Sequence, residues 1–387
     1  MRTTGYADMV SDAEQFVRAN PELALYAAIA VVLVALALLA LLRYRRPVGV
    51  RFKEALADRD QVAVLMHSNP DPDSMAAAIG VARLAEQVGC EPTLQFAGQI
   101  RHQENRAFRT VLDLELERIG HVSELAAEAV VLVDHNRPRG FDGSSGVLPL
   151  AVIDHHPGDG TGEEFTDVRT DYGATASIIA EYFEDIGGKP VPPDVHESEI
   201  GARYTLPSRE CTGLLYGILA DTRKLTSGAA AADFEAASFL YAGVDEDSLD
   251  RIANPQVSAE TLEVKARAIA GRQIQGSFAV SDVGTLSNAD AIPQAAEELI
   301  TLEGVTAVVV VGEQEGTGVI HLSGRSRDDR VHMGRALGHA VEGINSASAG
   351  GHARMGGGQI ESNEDDSASF SRGRLTEVLF ESLEGDV

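Results

Sequence analysis

The sequence predicts an α/β protein of two units behind one apolar N-terminal helix, and three observations carry that prediction. Short runs rich in Val and Ile alternate with helical segments, the pattern of a doubly wound parallel sheet. Twenty uncharged residues near the N-terminus form a segment of membrane length. The 387 residues exceed what a single core usually serves, and 44% hydrophobic with 24% charged residues exclude a wholly disordered chain.

The apolar segment, Leu23 to Leu42, reads LALYAAIAVVLVALALLALL. A helix of that length spans roughly 30 Å, the thickness of a bilayer core. Arg43, Arg45 and Arg46 follow at once, with Arg51 and Lys53 behind them, while Asp8, Asp12, Glu14 and Glu22 lie upstream against Arg2 and Arg18. Positive charge on the C-terminal flank predicts a single-pass anchor in the cell membrane, with residues 43 onward cytoplasmic. A basic n-region and a small-residue cleavage site, which a signal peptide requires, are not evident. Residues 1–46 are thus read as N-terminal segment and anchor, 51–245 as the first globular unit and 255–387 as a smaller C-terminal α/β unit.

Past Pro47, the runs Val62–Met66, Val130–Val133 and Ala151–Ile153 read as buried parallel strands. Ser74–Val88 closed by Gly89, and Thr175–Ile186 closed by Gly187 and Gly188, read as helices. Pro70 and Pro72 stiffen the turn before the first of these, and Ser74 is placed to cap it. Leu214–Ala220 reads as the end of a further helix leading to Asp221, and Ala229–Ala242 as another. Val244–Asp250 looks like a turn and a short polar connection. The second α/β unit takes shape near Thr261, with strands expected at Gly276–Val280, Val305–Val311 and Gly318–Ser323. The acidic stretch Glu361–Asp366 reads as a solvated loop.

Charge narrows the function. With 32 Lys+Arg against 59 Asp+Glu, the formal net charge is −27, which argues against wrapping duplex DNA. The acid excess fits a salt-adapted protein. An anionic ligand would need a local reversal of the field, for which a metal ion is the obvious means. Two cysteines, Cys90 and Cys211, exclude a disulfide scaffold.

The chemistry collects where strands end. The first strand runs into His67-Ser-Asn-Pro-Asp71-Pro-Asp73-Ser74, an imidazole and two carboxylates within seven residues. The second ends in Asp134, the third in Asp154-His155-His156, and Asp221 follows the apolar run GLLYGILA. In open α/β sheets the ligand site lies outside the carboxyl ends of the strands, so separate segments deliver Asp and His to one rim. A carboxylate and imidazole set without thiolate suits Mn²⁺ or a related divalent ion, and its size suits two ions sharing a carboxylate. His102, His121, His135, His196, His321, His332 and His339 have no such context and read as ordinary residues.

Together these motifs make the sequence resemble a DHH–DHHA1 phosphoesterase. That family includes RecJ-like exonucleases, nano-RNases and cyclic di-AMP phosphodiesterases, with family II pyrophosphatases as relatives. A fifth motif strengthens the likeness: Ala349-Gly350-Gly351-His352 differs from the family's Gly-Gly-Gly-His only at its first position. The resemblance covers roughly Gln61 to Gln359. It implies two Mn²⁺ ions, one held by His67, Asp71 and Asp134 and the other by Asp73, Asp134, His155 and Asp221. It further implies that His156 binds the substrate phosphate or protonates the leaving oxygen. In the second unit, Arg325, Ser326, Gly350, Gly351, His352 and Arg354 would bind substrate, glycine letting backbone N–H groups approach a phosphate. The activity implied is hydrolysis of a small nucleotide phosphodiester, cyclic di-AMP or a linear dinucleotide, by two-metal water activation. The alternatives are a nano-RNase or pAp phosphatase acting on short single-stranded oligonucleotides, and a non-catalytic membrane nucleotide receptor. A homodimer is consistent with the resemblance.

Overall fold

A computed structural model describes residues 46–100, 102–327, 330–344, 346–361 and 372–385, and between 19 and 34 all but positions 20, 24, 27 and 28. Of the apolar segment Leu23–Leu42, positions 24, 27, 28 and 35–42 lie outside the described residues. Among the described residues no helix is long and apolar enough to cross a membrane. The chain divides into two compact units between Asn254 and Pro255.

In the first unit α1 (Val48–Ala57) leads into β1 (Gln61–Met66), α2 (Pro72–Val88), β2 (Glu91–Phe96), α3 (Gln103–Val111) and β3 (Glu117–Arg118). Then come β4 (Val130–Val133), β5 (Ala151–Asp154), β6 (Phe165–Val168) and α4 (Thr175–Asp185). A two-stranded pair, β7 (Lys189–Pro190) with β8 (Thr205–Leu206), precedes α5 (Ser208–Asp221), α6 (Ala231–Tyr241) and α7 (Glu246–Ala253). The main sheet has six parallel strands in the order β3-β2-β1-β4-β5-β6. The order reverses between β1 and β4, the switch point at which such sheets open a crevice.

The strands form because their apolar runs are wanted on both faces: β4 is buried at every position and β1 at all but the first. One face, carrying Val62, Val64, Met66, Val131 and Val133, packs against helices with Phe52, Phe108, Tyr182 and Leu214 in the same core. The other face carries Ala63, Leu65, Val130, Leu132 and Val152 and packs against Ile119, Phe141 and flanking Val122, Leu125 and Val147. Helices on both faces are therefore not found among the described residues of this unit. The chain returns from β3 at one edge to β4 near the middle, and that return, with the turn after β4, covers the second face with loops and short 3₁₀ turns.

Two local expectations are corrected. Ser74 does not cap α2; Asp71 does, its Oδ1 accepting the Ser74 N–H at 3.0 Å, with Pro72 at the first helical position. Val244–Asp250 is no simple connection but the start of α7, capped by Asp245, whose carboxylate accepts the N–H groups of Asp247 and Ser248. Its sequence EDSLDRIA buries only Ile252, which is why its helical period escaped notice.

Helices α2 and α5 pack through small residues. A Cβ added at Gly217 would lie 2.9 Å from Ala76 Cβ and 3.2 Å from the Asp73 Cα. Close approach at this point seats Asp73 against the helical layer.

The second unit contains α8 (Ala259–Gly271), β9 (Gln273–Gln275), β10 (Phe278–Leu286), α9 (Ala291–Leu299), β11 (Ala307–Gln314) and β12 (Ile320–Ser326). It ends with α10 (Met333–Ala340), β13 (Ala347–Gly351), β14 (Met355–Ile360) and α11 (Arg372–Gly385). Its sheet order is β13-β14-β12-β11-β10-β9, with β10 and β11 parallel and the other pairs antiparallel. Here helices do cover both faces, α8 and α9 on one and α10 and α11 on the other.

Gly217→Val should lower stability by about 1–3 kcal/mol, the usual cost of overpacking, read as a lower urea midpoint at unchanged slope. A wild-type midpoint would show that the two helices can separate without loss.

Candidate metal centre

The site begins at the carboxyl ends of β1 and β4. His67 follows β1, and its Nδ1 donates to the Ser68 carbonyl at 2.9 Å, which leaves Nε2 toward the interior. Nε2 lies 3.5 Å from Asp71 Oδ2 and 3.4 Å from Asp134 Oδ2. Asp134 follows β4 with φ 60°, a left-handed conformation that Asp tolerates better than most residues. At the end of β5, His155 Nδ1 donates to the Tyr172 carbonyl at 3.2 Å, and its Nε2 faces Asp134 Oδ1 at 3.5 Å and Asp221 Oδ2 at 3.3 Å.

Three groups result, in each of which the donor atoms lie within 4.8 Å of one another: His67, Asp71 and Asp134; Asp134, His155 and His156; Asp73, His155 and Asp221. All six sequence-derived ligand candidates and His156 are thus brought together, with Asp134 and His155 each common to two groups. Asp154 is in none of them. It is fully buried and orients its neighbours: Oδ1 accepts His156 Nδ1 and the His156 N–H at 3.0 Å each, and Oδ2 accepts Asn136 Nδ2 at 2.7 Å.

Two features fit the residues to divalent cations. Asp134 Oδ2 and His155 Nε2 are buried without a hydrogen-bond partner among the described residues, which is costly for polar atoms out of water. The imidazole–carboxylate separations of 3.3–3.5 Å are also long for charge-assisted hydrogen bonds. Two donors each about 2.1 Å from one ion lie roughly 3.0–3.4 Å apart, depending on coordination angle.

Electrostatics point the same way. Burial, then Asp134, Asp221 and Asp71, push the Asp73 carboxyl well above the usual range. Burial likewise raises Asp134, with His67 opposing and the acids Asp71 and Asp221 adding to it. Burial alone would lower His67, but Asp134 and Asp71 outweigh it and carry it up to about 10; Asp221 and Asp134 similarly carry His155 up to about 9. Carboxyl groups raised in the fold weaken it as pH climbs past their unfolded values, a cost at Asp73 and Asp134 that the protonated His67 and His155, or divalent cations in their place, would offset.

Sequence reading missed several residues of this site. His135 is 2% exposed, its ring 6.5 Å edge-on from His67, with Nδ1 on the Val133 carbonyl at 2.9 Å; burial pushes it down to about 4. Asn136, Tyr172, Thr175 and Asp233 also escaped, because nothing local distinguishes them from ordinary loop and helix residues.

In the second unit, the Gly350–Gly358 stretch belongs to a hairpin of β13 and β14. Gly351 has φ 144°, and a Cβ there would lie 2.4 Å from the Met355 carbonyl, so only glycine fits this turn. Ala349 pairs with Gly358, whose missing side chain makes room for it. His352 and Arg354 are exposed at the turn, and the Ser326 N–H donates to the Arg354 carbonyl at 2.8 Å. Arg325 is already matched by Glu297 at 2.9 Å and by Ser323 and the Gly324 carbonyl.

Comparison with known proteins accords with both units. Residues 61–218 match the DHH family, N-terminal domain, and residues 275–372 match the DHHA1 domain. An uncharacterized protein of Methanocaldococcus jannaschii is 32% identical over 300 residues, covering 75% of this chain and 55% of that protein. A cyclic-di-AMP phosphodiesterase, GdpP, of Geobacillus thermodenitrificans is 26% identical over 309 residues, covering 73% of this chain and 43% of that protein. The chain thus spans about half the length of these relatives. The crystal structure of an exopolyphosphatase-related protein from Bacteroides fragilis shares the fold, with TM-score 0.59 and 16% identity over 87% of this chain and 95% of that one. The chain therefore carries a DHH domain followed by a DHHA1 domain.

Mn²⁺ should raise the melting temperature, by about 2.7 kcal/mol of stability at a hundredfold excess over its dissociation constant. Asp134→Asn, which keeps a residue suited to positive φ, should melt no lower than wild type in EDTA and lose the Mn²⁺-dependent rise. Scanning fluorimetry with and without Mn²⁺ checks both, and a full rise in the variant would remove Asp134 from the centre.

Proposed function

We propose that this chain, which carries a DHH and a DHHA1 domain, is a metal-dependent phosphoesterase using two Mn²⁺ ions to hydrolyse a small nucleotide phosphodiester. The observation that carries the reading is the sharing of Asp134 between two donor groups, one with His67 and Asp71 and the other with His155 and His156. On this reading one ion is held by His67, Asp71 and Asp134, and the other by Asp73, Asp134, His155 and Asp221. Bound there, the two ions would supply a nucleophile from water at neutral pH and neutralise charge on the phosphate.

The chain's own residues do the rest. The Ser68 and Tyr172 carbonyls hold protons on the Nδ1 atoms of His67 and His155, so both imidazoles present Nε2. Asp154 holds His156 by Nδ1, and Asn136 holds Asp154. With its side chain 53% exposed, His156 can bind a substrate phosphate or give a proton to the leaving oxygen. Exposed His352 and Arg354, beside glycines, suit phosphate recognition in the second unit.

Cyclic di-AMP or a linear dinucleotide is the substrate class we favour. The relative named as a cyclic-di-AMP phosphodiesterase supports it, as does a net charge that disfavours long nucleic acid. The Leu23–Leu42 segment with its basic flank supports a membrane anchor and cytoplasmic domains. On that reading the full chain should sediment with membranes and a chain lacking residues 1–46 should not.

Turnover of cyclic di-AMP, pApA and pAp with Mn²⁺ tests the substrate. Hydrolysis of the cyclic compound or pApA is expected, and preference for pAp or short oligonucleotides would favour a nano-RNase or pAp phosphatase. His156→Ala should lower kcat roughly 10²–10⁴-fold, the usual worth of a positioned proton donor. Inertness toward all of them would favour a nucleotide receptor.

A further inference from the structure

We propose that the strap Tyr172–Ser177, locked by the buried carboxylate of Asp233, sets the geometry of the metal centre, with Thr175 and Asp233 as positioning residues. The proposal rests on reading the cluster as a metal centre.

Within five residues the strap reaches three candidate ligands. The Tyr172 carbonyl accepts His155 Nδ1 at 3.2 Å. The Thr175 and Ala176 N–H groups, at the start of α4, donate to Asp73 Oδ2 and Oδ1 at 2.7 and 2.8 Å. The Thr175 hydroxyl donates to Asp134 Oδ1 at 2.9 Å. A carboxylate offers about four acceptor positions, so each acid keeps room for a cation while losing freedom to rotate. Thr175 also makes the two oxygens of Asp134 inequivalent, because Oδ2 has no hydrogen bond among the described residues.

Asp233 holds the strap from α6, sixty residues away in sequence. Fully buried, it accepts the Gly173 N–H at 2.9 Å, the Ser177 hydroxyl at 2.6 Å and the Ala230 N–H at 2.7 Å. Among the described residues, neutral donors alone compensate this carboxylate, an expensive arrangement that fixes its geometry. Gly173 is pressed onto it: a Cβ would lie 2.5 Å from Asp233 Oδ2 and 2.8 Å from the Gly228 carbonyl. At the other end, Arg169 binds the Tyr172 hydroxyl and Glu181 at 2.8 Å each, while its N–H donates to the Asp154 carbonyl at 2.9 Å.

The test uses the full chain and Mn²⁺ alone, read by calorimetric titration and by the paramagnetic resonance of a spin-coupled Mn²⁺ pair, with circular dichroism for the fold. Thr175→Val and Asp233→Asn should each weaken Mn²⁺ binding roughly 10–100-fold, as outer-shell changes do, and alter the coupled signal. Thr175→Ser, which keeps the hydroxyl, should restore both. Folded variants that bind Mn²⁺ with wild-type affinity and coupling would overturn the proposal while leaving the metal centre intact. No binding by wild type would overturn both. If Asp233→Asn fails to fold, Thr175→Val, a hydroxyl-for-methyl exchange, decides alone.

Discussion

Mutual repulsion among Asp71, Asp73, Asp134 and Asp221 is the constraint on which the first unit depends. The sheet order brings the ends of β1 and β4 together, and α5 delivers Asp221 to the same rim. The surroundings answer the repulsion piecemeal. Two imidazoles stand between the acids, and the start of α4 turns backbone N–H groups onto Asp73. A helix N-terminus carries partial positive charge, so α4 favours the ionised form of Asp73 against the burial that opposes it. Among the described residues these contacts still leave a buried oxygen of Asp134 without a hydrogen bond. Divalent charge at that position would complete the balance, and it would also let a chain of net charge −27 accept an anionic substrate.

What could be read from the sequence follows from locality. His67, Asp134 and His155 were legible because a buried strand ends beside each, and strand termini in this class of sheet converge. Asp71 was legible as a carboxylate near the site but not as the cap of α2, since either Asp71 or Ser74 satisfies the rule for a capping residue. Thr175 and Asp233 were not legible at all. Thr175 meets Asp73 across 102 positions, and only the folded chain shows that its hydroxyl turns toward Asp134. The loop-covered second face was equally hidden, because alternating strands and helices do not reveal on which side each crossover passes.

The candidate ligands are also structural residues, which limits how any one of them can be replaced. Asp71 caps α2 with Oδ1 while Oδ2 faces His67. Removing that cap alone would cost about 1 kcal/mol whatever the metal does. Asp73 is tied to α4 by both oxygens, so its loss would leave two N–H donors buried at a helix start. Asp134 holds a positive φ that alanine resists. Alanine substitutions would therefore mix lost folding with lost chemistry, and amide substitutions would be cleaner only where the remaining oxygen keeps its donor. Asp134→Asn meets that condition if its oxygen stays on Thr175 and its nitrogen takes the Oδ2 position, facing His67. The strap, rather than the ligand, then decides which way the new amide faces, so Thr175 and Asp134 should be strongly non-additive when changed together.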